Sequence, residues 1–564
     1  MSRPALRHIT ALRLPFLAFL AFLAAPPCAQ ASDAPSVAAA ATAPPRSLPR
    51  ELGKPEDDIK LDITAFEVDG LPEASVPTLN ELTAPYTGKA RSYEDLLNAA
   101  AAVTRHMQRD LGYYVGFAYV PEQATGKGVV HLQALEGRLD QIRVMPVAVA
   151  DGLATAELQA QAQALVDERT TGLPVGGILR TAELDRSVLL LNDLLGWRFK
   201  IEIEEGRAPG TASLKVTPTS ERALAFKAEA DTLGNRYTGL ARLSGTLSVG
   251  NPLRRGDSLT AQLLSSHTGG LKQGSVSYTL PLGAQGLKVG ASLARVEYGL
   301  DRDAYPAVYE GSVVSTGAFA LYPLIRSRNV NLFGVLSYEH KQFDDHQAGL
   351  RLGKFSNDWQ LGLVGDARDS LLGGGINTLE LQALHGRMAF DANANPFGLG
   401  QSFNKLTLGA SRLQGLVPGR LQLYGRYKAQ LAGASLDATE RYAAGGPLGV
   451  RAFGPGEAAA DQAHVINTEL RWLPPDAWLG PLAREVLVTS FYDWAHVHFT
   501  HDAALQPTGV ANTGTLSGAG LGLIWDRPGK LSLRLDLAWR LTGDALADPR
   551  HHEPRANAVF TQRF

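Results

Sequence analysis

Cysteine is all but missing: the 564 residues contain one, Cys28. A single thiol excludes an intramolecular disulfide, a multi-cysteine metal centre and CxxC redox chemistry. Basic excess is missing too. The 54 Lys and Arg against 56 Asp and Glu leave a net charge of −2, which offers no electrostatic footprint for nucleic acid. Beyond the first thirty residues no apolar run reaches the about 18 residues that a membrane-spanning helix needs. Phosphate-binding GxxxxGK, HExxH and nucleophile-elbow patterns are absent as well. Nothing in the residues points to an enzyme, and no metal or cofactor is expected.

What is present is organised. Arg3, Arg7 and Arg13 precede the apolar stretch Leu14 to Ala25, and Ala29-Gln30-Ala31 fits a small-x-small cleavage site. Residues 1–31 therefore read as a secretory signal that takes Cys28 away with it. Residues 32–58 are rich in Ala and Pro and read as a mobile linker.

Two α+β modules follow, assigned to residues 59–137 and 138–218. In the first, Ile63 to Leu71 alternates like a strand. Ser92 and Asp95 form a capping-box pattern, and Leu96, Ala100, Val103, Met107 and Leu111 recur at helical spacing until Gly112. Tyr113–Tyr119 and Val129–Leu135 read as strands. The second module repeats the order: strand Leu139–Met145, helix Thr155–Val166, a second helix capped by Thr181 and ended by Gly196, then strands Trp197–Glu204 and Ala212–Thr217.

From about Arg222 to Phe564 the helical period disappears, and about sixteen strands of period two alternate with turns. The clearest include Tyr237–Val249, Leu287–Leu300, Thr378–Phe390, Glu485–Phe499 and Leu531–Arg540. The mean hydropathy of −0.08 looks soluble. A membrane barrel gives such a value, because every second residue faces a wet lumen while the others face lipid. The fold class expected for 219–564 is thus an all-β transmembrane barrel of antiparallel strands, ending on an aromatic residue. The longest gap between strands, about 432–464, is Gly- and Ala-rich, and a loop of that length is usually functional.

Several motifs then fall in order. Gly112-Tyr113, Tyr119-Val120-Pro121-Glu122-Gln123 and Leu135-Glu136-Gly137-Arg138 mark the first module. Leu189-Leu190-Leu191-Asn192-Asp193 and Gly210-Thr211-Ala212-Ser213-Leu214 mark the second. Leu233-Gly234-Asn235-Arg236-Tyr237 and Asn251-Pro252-Leu253 stand at the barrel start. Gly449-Val450-Arg451-Ala452-Phe453 lies in the long loop, and Phe491-Tyr492-Asp493-Trp494-Ala495 on a late strand. Over nearly all of the mature chain this set resembles the outer-membrane transporters of two-partner secretion, the ShlB/FhaC/HecB type, related to the barrel-assembly protein BamA.

The resemblance implies two periplasmic POTRA domains that capture a secreted partner protein of the haemolysin or adhesin type. It implies outer-membrane lipid around the barrel and help from the barrel-assembly machinery during biogenesis. It also implies an in-folded loop whose VRGF-type motif meets the FxDxG-type strand, with Arg451, Asp493, Phe453 and Phe491 as the loop–barrel lock. Phe560 and Phe564 would form the C-terminal assembly signal. The working form would be a monomer in the outer membrane of a Gram-negative bacterium. An assembly factor or insertase of the same superfamily is the alternative.

From alternation, Phe491, Asp493, Ala495 and Val497 share one face and Tyr492, Trp494 and His496 the other, which points Asp493 into the lumen. A guanidinium suits a half-dry lock because its fork matches a carboxylate and stays charged. Ala452 and Ala495 stand where the family has Gly, so two extra methyls are expected to hold the loop off the wall. Gln562 stands where an apolar residue would face lipid. His340, Asp344, Asp345 and His346, and the pair His551 and His552, are read as solvated residues near strand ends rather than metal ligands.

Overall fold

The computed structural model describes residues 49–564 except 56–59, 125–127, 150–154, 222–223, 302–307, 397 and 545–553. The expected signal peptide with Cys28, the linker before residue 49 and the His551–His552 pair lie outside the described residues.

The first module runs β1 (Leu61–Ile63), β2 (Ala65–Asp69), α1 (Val76–Thr83), β3 (Gly88–Arg91), α2 (Tyr93–Arg109), β4 (Phe117–Tyr119) and β5 (Val129–Leu135). Its main sheet has the order β2-β5-β4, parallel then antiparallel. Helix α2 starts where it does because the Ser92 hydroxyl accepts from Asp95 N (3.3 Å) while the Asp95 carboxylate accepts from Ser92 N (2.9 Å). Its apolar stripe, Leu96, Val103 and Met107, packs on Phe66, Val130 and Leu132 of the sheet.

Three readings need correction here. Strand β4 covers only the end of Tyr113–Tyr119, because Tyr113 instead bridges to Arg180 of the next module. The stretch 63–71 is broken at Thr64, and α1, started by a proline in its first turn, had no long period to reveal it. Residues 49–52, counted as linker, are docked. Glu122 N donates to Arg50 O (2.7 Å) and Leu52 N to Val120 O (2.8 Å), and Leu52 joins the core. The segment thereby extends the sheet just past the β4 edge.

The second module repeats the plan with β6 (Arg138–Val144), α3 (Ala156–Arg169), α4 (Thr181–Asn192), β7 (Trp197–Glu205) and β8 (Thr211–Ser220), in sheet order β6-β8-β7. Thr155 caps α3 with its hydroxyl. Thr181 opens α4 as its first residue; the N-cap is Arg180, whose side chain makes no capping bond. The modules are tied by backbone bonds, Tyr114 N to Leu179 O (2.8 Å) and Thr181 N to Gly112 O (2.9 Å), so the joint is more than a tether.

The barrel is closed and antiparallel, with sixteen strands. They are β9 (Leu224–Asp231), β10 (Arg242–Gly250), β11 (Ser258–Ser266), β12 (Leu271–Leu282), β13 (Leu287–Gly299), β14 (Tyr309–Arg326), β15 (Val330–Gln347), β16 (Leu350–Asp369), β17 (Gly375–Phe390), β18 (Ser402–Val417) and β19 (Leu421–Ala432). After two short loop strands, β20 (Tyr442–Ala443) and β21 (Ala459–Ala460), come β22 (Gln462–Trp472), β23 (Val486–His498), β24 (Thr513–Arg527), β25 (Leu531–Thr542) and β26 (Arg555–Arg563).

Strand β25 shows why these segments fold so. Leu535, Leu537, Trp539 and Leu541 point outward and are exposed, while Asp536 and Ala538 between them are buried in the lumen. Closure leaves no unpaired sheet edge, the condition for crossing lipid with strands. Where Tyr237–Val249 was read as one strand, β10 starts only at Arg242. Asn235 folds the chain before it, its side-chain oxygen accepting from Tyr237 N and Thr238 N at 2.9 Å.

The second module sits against one arc of the barrel mouth. Asp193 at the end of α4 takes a two-pronged pair from Arg326 (2.6 and 3.0 Å), and Asp185 pairs with Arg328 (2.8 Å). Arg186 donates to Pro323 O (2.8 Å), and Arg254 pairs with Glu157. These contacts fall on the turns β10–β11 and β14–β15.

Candidate functional site: a loop held inside the barrel

The connection from β19 to β22 turns into the lumen. Ala444, Val450, Ala452 and Phe453 are fully buried and pack against Phe491, Ala495 and Leu516 of the wall. The loop backbone folds tightly on itself. A β-carbon at Gly449 would lie 1.9 Å from Ala444 O, so only glycine fits there.

Arg451 is the centre of the contact. Its Nε and Nη2 donate to the two oxygens of Asp493 at 2.8 and 2.7 Å, and its backbone N donates to Asp493 Oδ2 at 3.1 Å. Nη1 donates to Glu469 Oε1 at 2.6 Å, and the guanidinium carbon lies 3.5 Å from the centre of the Phe491 ring. A planar fork, a carboxylate and an aromatic face together satisfy a charge that is 4% exposed.

Beyond this pair, Arg534 and Arg471 share Glu469 (2.6 and 2.9 Å), and Arg534 also reaches Asp536 (2.8 Å). Asn467 donates to Asp493 Oδ1 (2.7 Å) and to Gly449 O (2.8 Å), so it ties the acid to the loop backbone. Three arginines and three carboxylates thus balance in one cluster. Phe453 is fully buried, with the Arg540 guanidinium 5.2 Å from its ring centre.

The expectation that Ala452 and Ala495 hold the loop off the wall is overturned. The Ala452 methyl sits over Gly518 of β24, where an added β-carbon would come within 2.6 Å of it. Gly518 on the facing strand leaves room for that methyl, and the loop seats at hydrogen-bond distance.

A second anchor had no motif to announce it. Glu440, 3% exposed, lies between Lys341 of β15 (2.9 Å) and Lys405 of β18 (2.6 Å). Asp437 pairs with Lys354 of β16 (2.7 Å), and Lys341 also meets Asp358 (2.8 Å). The loop is therefore bonded to two different walls of the lumen.

The other residues singled out lie elsewhere. Phe560 and Phe564 are on the outward face at the final strand, and Phe564 packs on Phe226 of β9 with ring centres 5.7 Å apart. Gln562 lies between them in register with Ala228. His340 bonds Asn357 (2.9 Å), Asp344 pairs with Arg351 (2.7 Å) and Asp345 accepts from Tyr298. Among the described residues no His, Cys, Asp and Glu cluster could hold a metal ion.

Fold and site define a transmembrane β-barrel whose lumen holds its own loop, preceded by two α+β modules. The chain belongs to the haemolysin secretion/activation protein family ShlB/FhaC/HecB, whose profile matches residues 210–524, and a ShlB-type POTRA domain matches 61–137. It is 24% identical to the heme/hemopexin transporter protein HuxB of Haemophilus influenzae strain 86-028NP, over 86% of this chain and 84% of that protein. It is 24% identical to the outer membrane transporter CdiB of Escherichia coli O6:K15:H31, over 82% of this chain and 76% of that one. Among solved structures, CdiB from Escherichia coli superposes with a TM-score of 0.69 at 21% identity, covering 92% of this chain and 94% of that one. BamA from Haemophilus ducreyi, lacking POTRA domains 1–3, gives 0.51 at 13%, covering 90% and 100%. These two likenesses concern the fold.

Proposed function

We propose that the protein is an outer-membrane translocator that moves one large, unfolded partner protein of the haemolysin or adhesin type from periplasm to cell surface. The observation that carries this reading is the in-folded loop, bonded to two different walls of the lumen by Arg451 and by Glu440. A diffusive pore has no need of an ion-paired stopper, whereas a conduit for an occasional chain must be shut between uses. The family and the transporter relatives support the same class.

In this reading residues 59–137 and 138–218 are two periplasmic POTRA domains that capture the partner. Capture works by strand addition, in which backbone bonds give affinity and neighbouring side chains give selectivity. The nine-residue β7 lies at the edge of its sheet and is the better docking edge. The three-residue β4 is followed directly by the stretch that residues 50–52 cover. No nucleotide chemistry is invoked; folding of the exported chain outside drives transport. Phe560 and Phe564 act as the assembly signal read by the barrel-assembly machinery, and the transporter works as a monomer.

The test is co-expression with any large, repeat-rich exoprotein found encoded beside this gene, and measurement of its secretion in cells carrying the parent or a variant lacking both modules. Loss of secretion with a normally assembled, heat-modifiable barrel is the expected result. Unchanged secretion would contradict the capture role.

A further inference from the structure

Where β14, β18 and β24 turn back at the mouth that faces the modules, three residues suffice: 327–329, 418–420 and 528–530. Between β22 and β23 thirteen are used, 473–485. This connection is ordered. Pro475 precedes a short helical turn, α5 (Asp476–Leu479), and Gly480 at φ +56° ends it. Leu473 N donates to Arg420 O (2.8 Å), and Arg420 in turn donates to Pro474 O (3.1 Å), which fastens the segment to the neighbouring turn.

Its composition is unlike that of a solvated turn. Trp478 is 70% exposed, and Leu479 and Leu482 are also exposed. The direction it faces follows from strand parity. Asn467, Glu469 and Arg471 of β22 point into the lumen, so Trp472 points outward, and the Trp478 ring meets Trp472 edge-on at 5.5 Å. Two strands further on, Trp525 lies in register with Val486 and donates its indole N–H to Glu485 at the end of the same segment (2.8 Å). The segment therefore folds against the outside of the barrel wall and not across the lumen. Its apolar face continues the outward row of Leu470, Val488, Leu521 and Leu523.

We propose that 473–485 is an interfacial foot that seats Trp478, Leu479 and Leu482 in the phospholipid leaflet on the module side of the membrane. The occupant is lipid, because the patch is continuous with the strand surface that already faces lipid. A tryptophan bearing a polar N–H beside charged groups suits the headgroup level. Arg484 and Asp476, paired at 3.5 Å and both exposed, give the segment a polar side for that boundary. The proposal rests on the membrane-barrel reading and on nothing about the exported partner.

The test uses the full-length protein with Cys28→Ser, refolded into vesicles of phosphatidylethanolamine and phosphatidylglycerol. A single cysteine is placed by Leu482→Cys, Leu521→Cys or Glu94→Cys and spin-labelled. Collision rates with oxygen and with a nickel chelate then report lipid or water around each label. Position 482 should resemble 521 on the strand surface, oxygen-rich and nickel-poor. A label at 482 that behaves like 94 on the first module overturns the foot. Shielding from both reagents also overturns it and points to a protein occupant. If 521 itself reads as water-exposed, the membrane reading fails and the foot with it. As a second measurement, Trp478→Asp with Leu482→Asp should slow insertion into the same vesicles several-fold, and an unchanged rate counts against the proposal.

Discussion

The two anchors of the internal loop do the same job with different chemistry. Arg451 offers a flat fork to Asp493, a second carboxylate in Glu469 and a cation–π contact with Phe491. Glu440 is held by two lysines that act as point charges on flexible stems. The first anchor depends on geometry and the second on charge. Removing Asp493 takes away a two-pronged, geometry-specific pair and leaves Arg451 with Glu469, whereas a lysine holds its carboxylate through one rotatable ammonium, and Lys341 keeps Asp358 when Glu440 lets go. The arginine anchor should therefore be the stiffer of the two, and the lysine anchor the one that gives first.

The sharpest way to break this comparison is Asp493→Ala. It removes three of the hydrogen bonds around Arg451, leaving Glu469 as its close acceptor, and should cost about 3–5 kcal/mol of loop seating, enough to open the channel in planar-bilayer recordings and to depress secretion while the barrel still assembles. Parental conductance in this variant would sink the lock. Arg451→Lys keeps the charge and loses the fork, so about 1–3 kcal/mol should go, with an intermediate rise in conductance. Glu440→Gln preserves shape and should cost about 1–2 kcal/mol, seen as brief opening events rather than a steady open state. An effect larger than that of Asp493→Ala would invert the ranking of the two anchors.

Gly518→Ala brings two β-carbons within 2.6 Å and should unseat the loop near Ala452. Adding Ala452→Gly to it should restore part of the closure, the rest being withheld by Trp539 O, 3.0 Å from the same position. The smallest effect belongs to Ala452→Gly with Ala495→Gly alone, where conductance should stay at the parental level because neither methyl keeps the loop from its partners.

The same contrast explains what could be read from the chain. Arg451, Phe453, Phe491 and Asp493 stand in short motifs, so they could be singled out before any contact was known. Glu440 could not, since Lys341 lies about a hundred residues earlier and a lone Glu–Lys pair carries no signature. Gly518 was invisible for a similar reason: one glycine among 58 becomes meaningful only when Ala452 is seen above it.

Strands such as β25 announce themselves because leucines alternate with polar residues. β14 does not, as Ser, Gly and Ala fall on both faces and its register slips between Pro323 and Ile325. Near Tyr237, aromatic and apolar residues imitated a strand, and only the asparagine-centred turn at Asn235 distinguishes it from one. Docking of residues 49–52 on the first module was hidden by a composition that elsewhere makes a linker.

One strand has a mechanical meaning. The turn entering β15 is clamped to α4 through Arg326–Asp193 and Arg328–Asp185, and eleven residues beyond Val330, about 37 Å at a strand's rise, the same rod presents Lys341 to Glu440. A hydrogen-bonded strand transmits displacement along its length with little give. A pull on the second module therefore arrives at the weaker of the two anchors and leaves the stiffer one untouched. Force applied between residue 193 and the vesicle-embedded barrel should accordingly free Glu440 before Arg451, an order that single-molecule pulling on Glu440→Gln and Asp493→Ala variants can read directly.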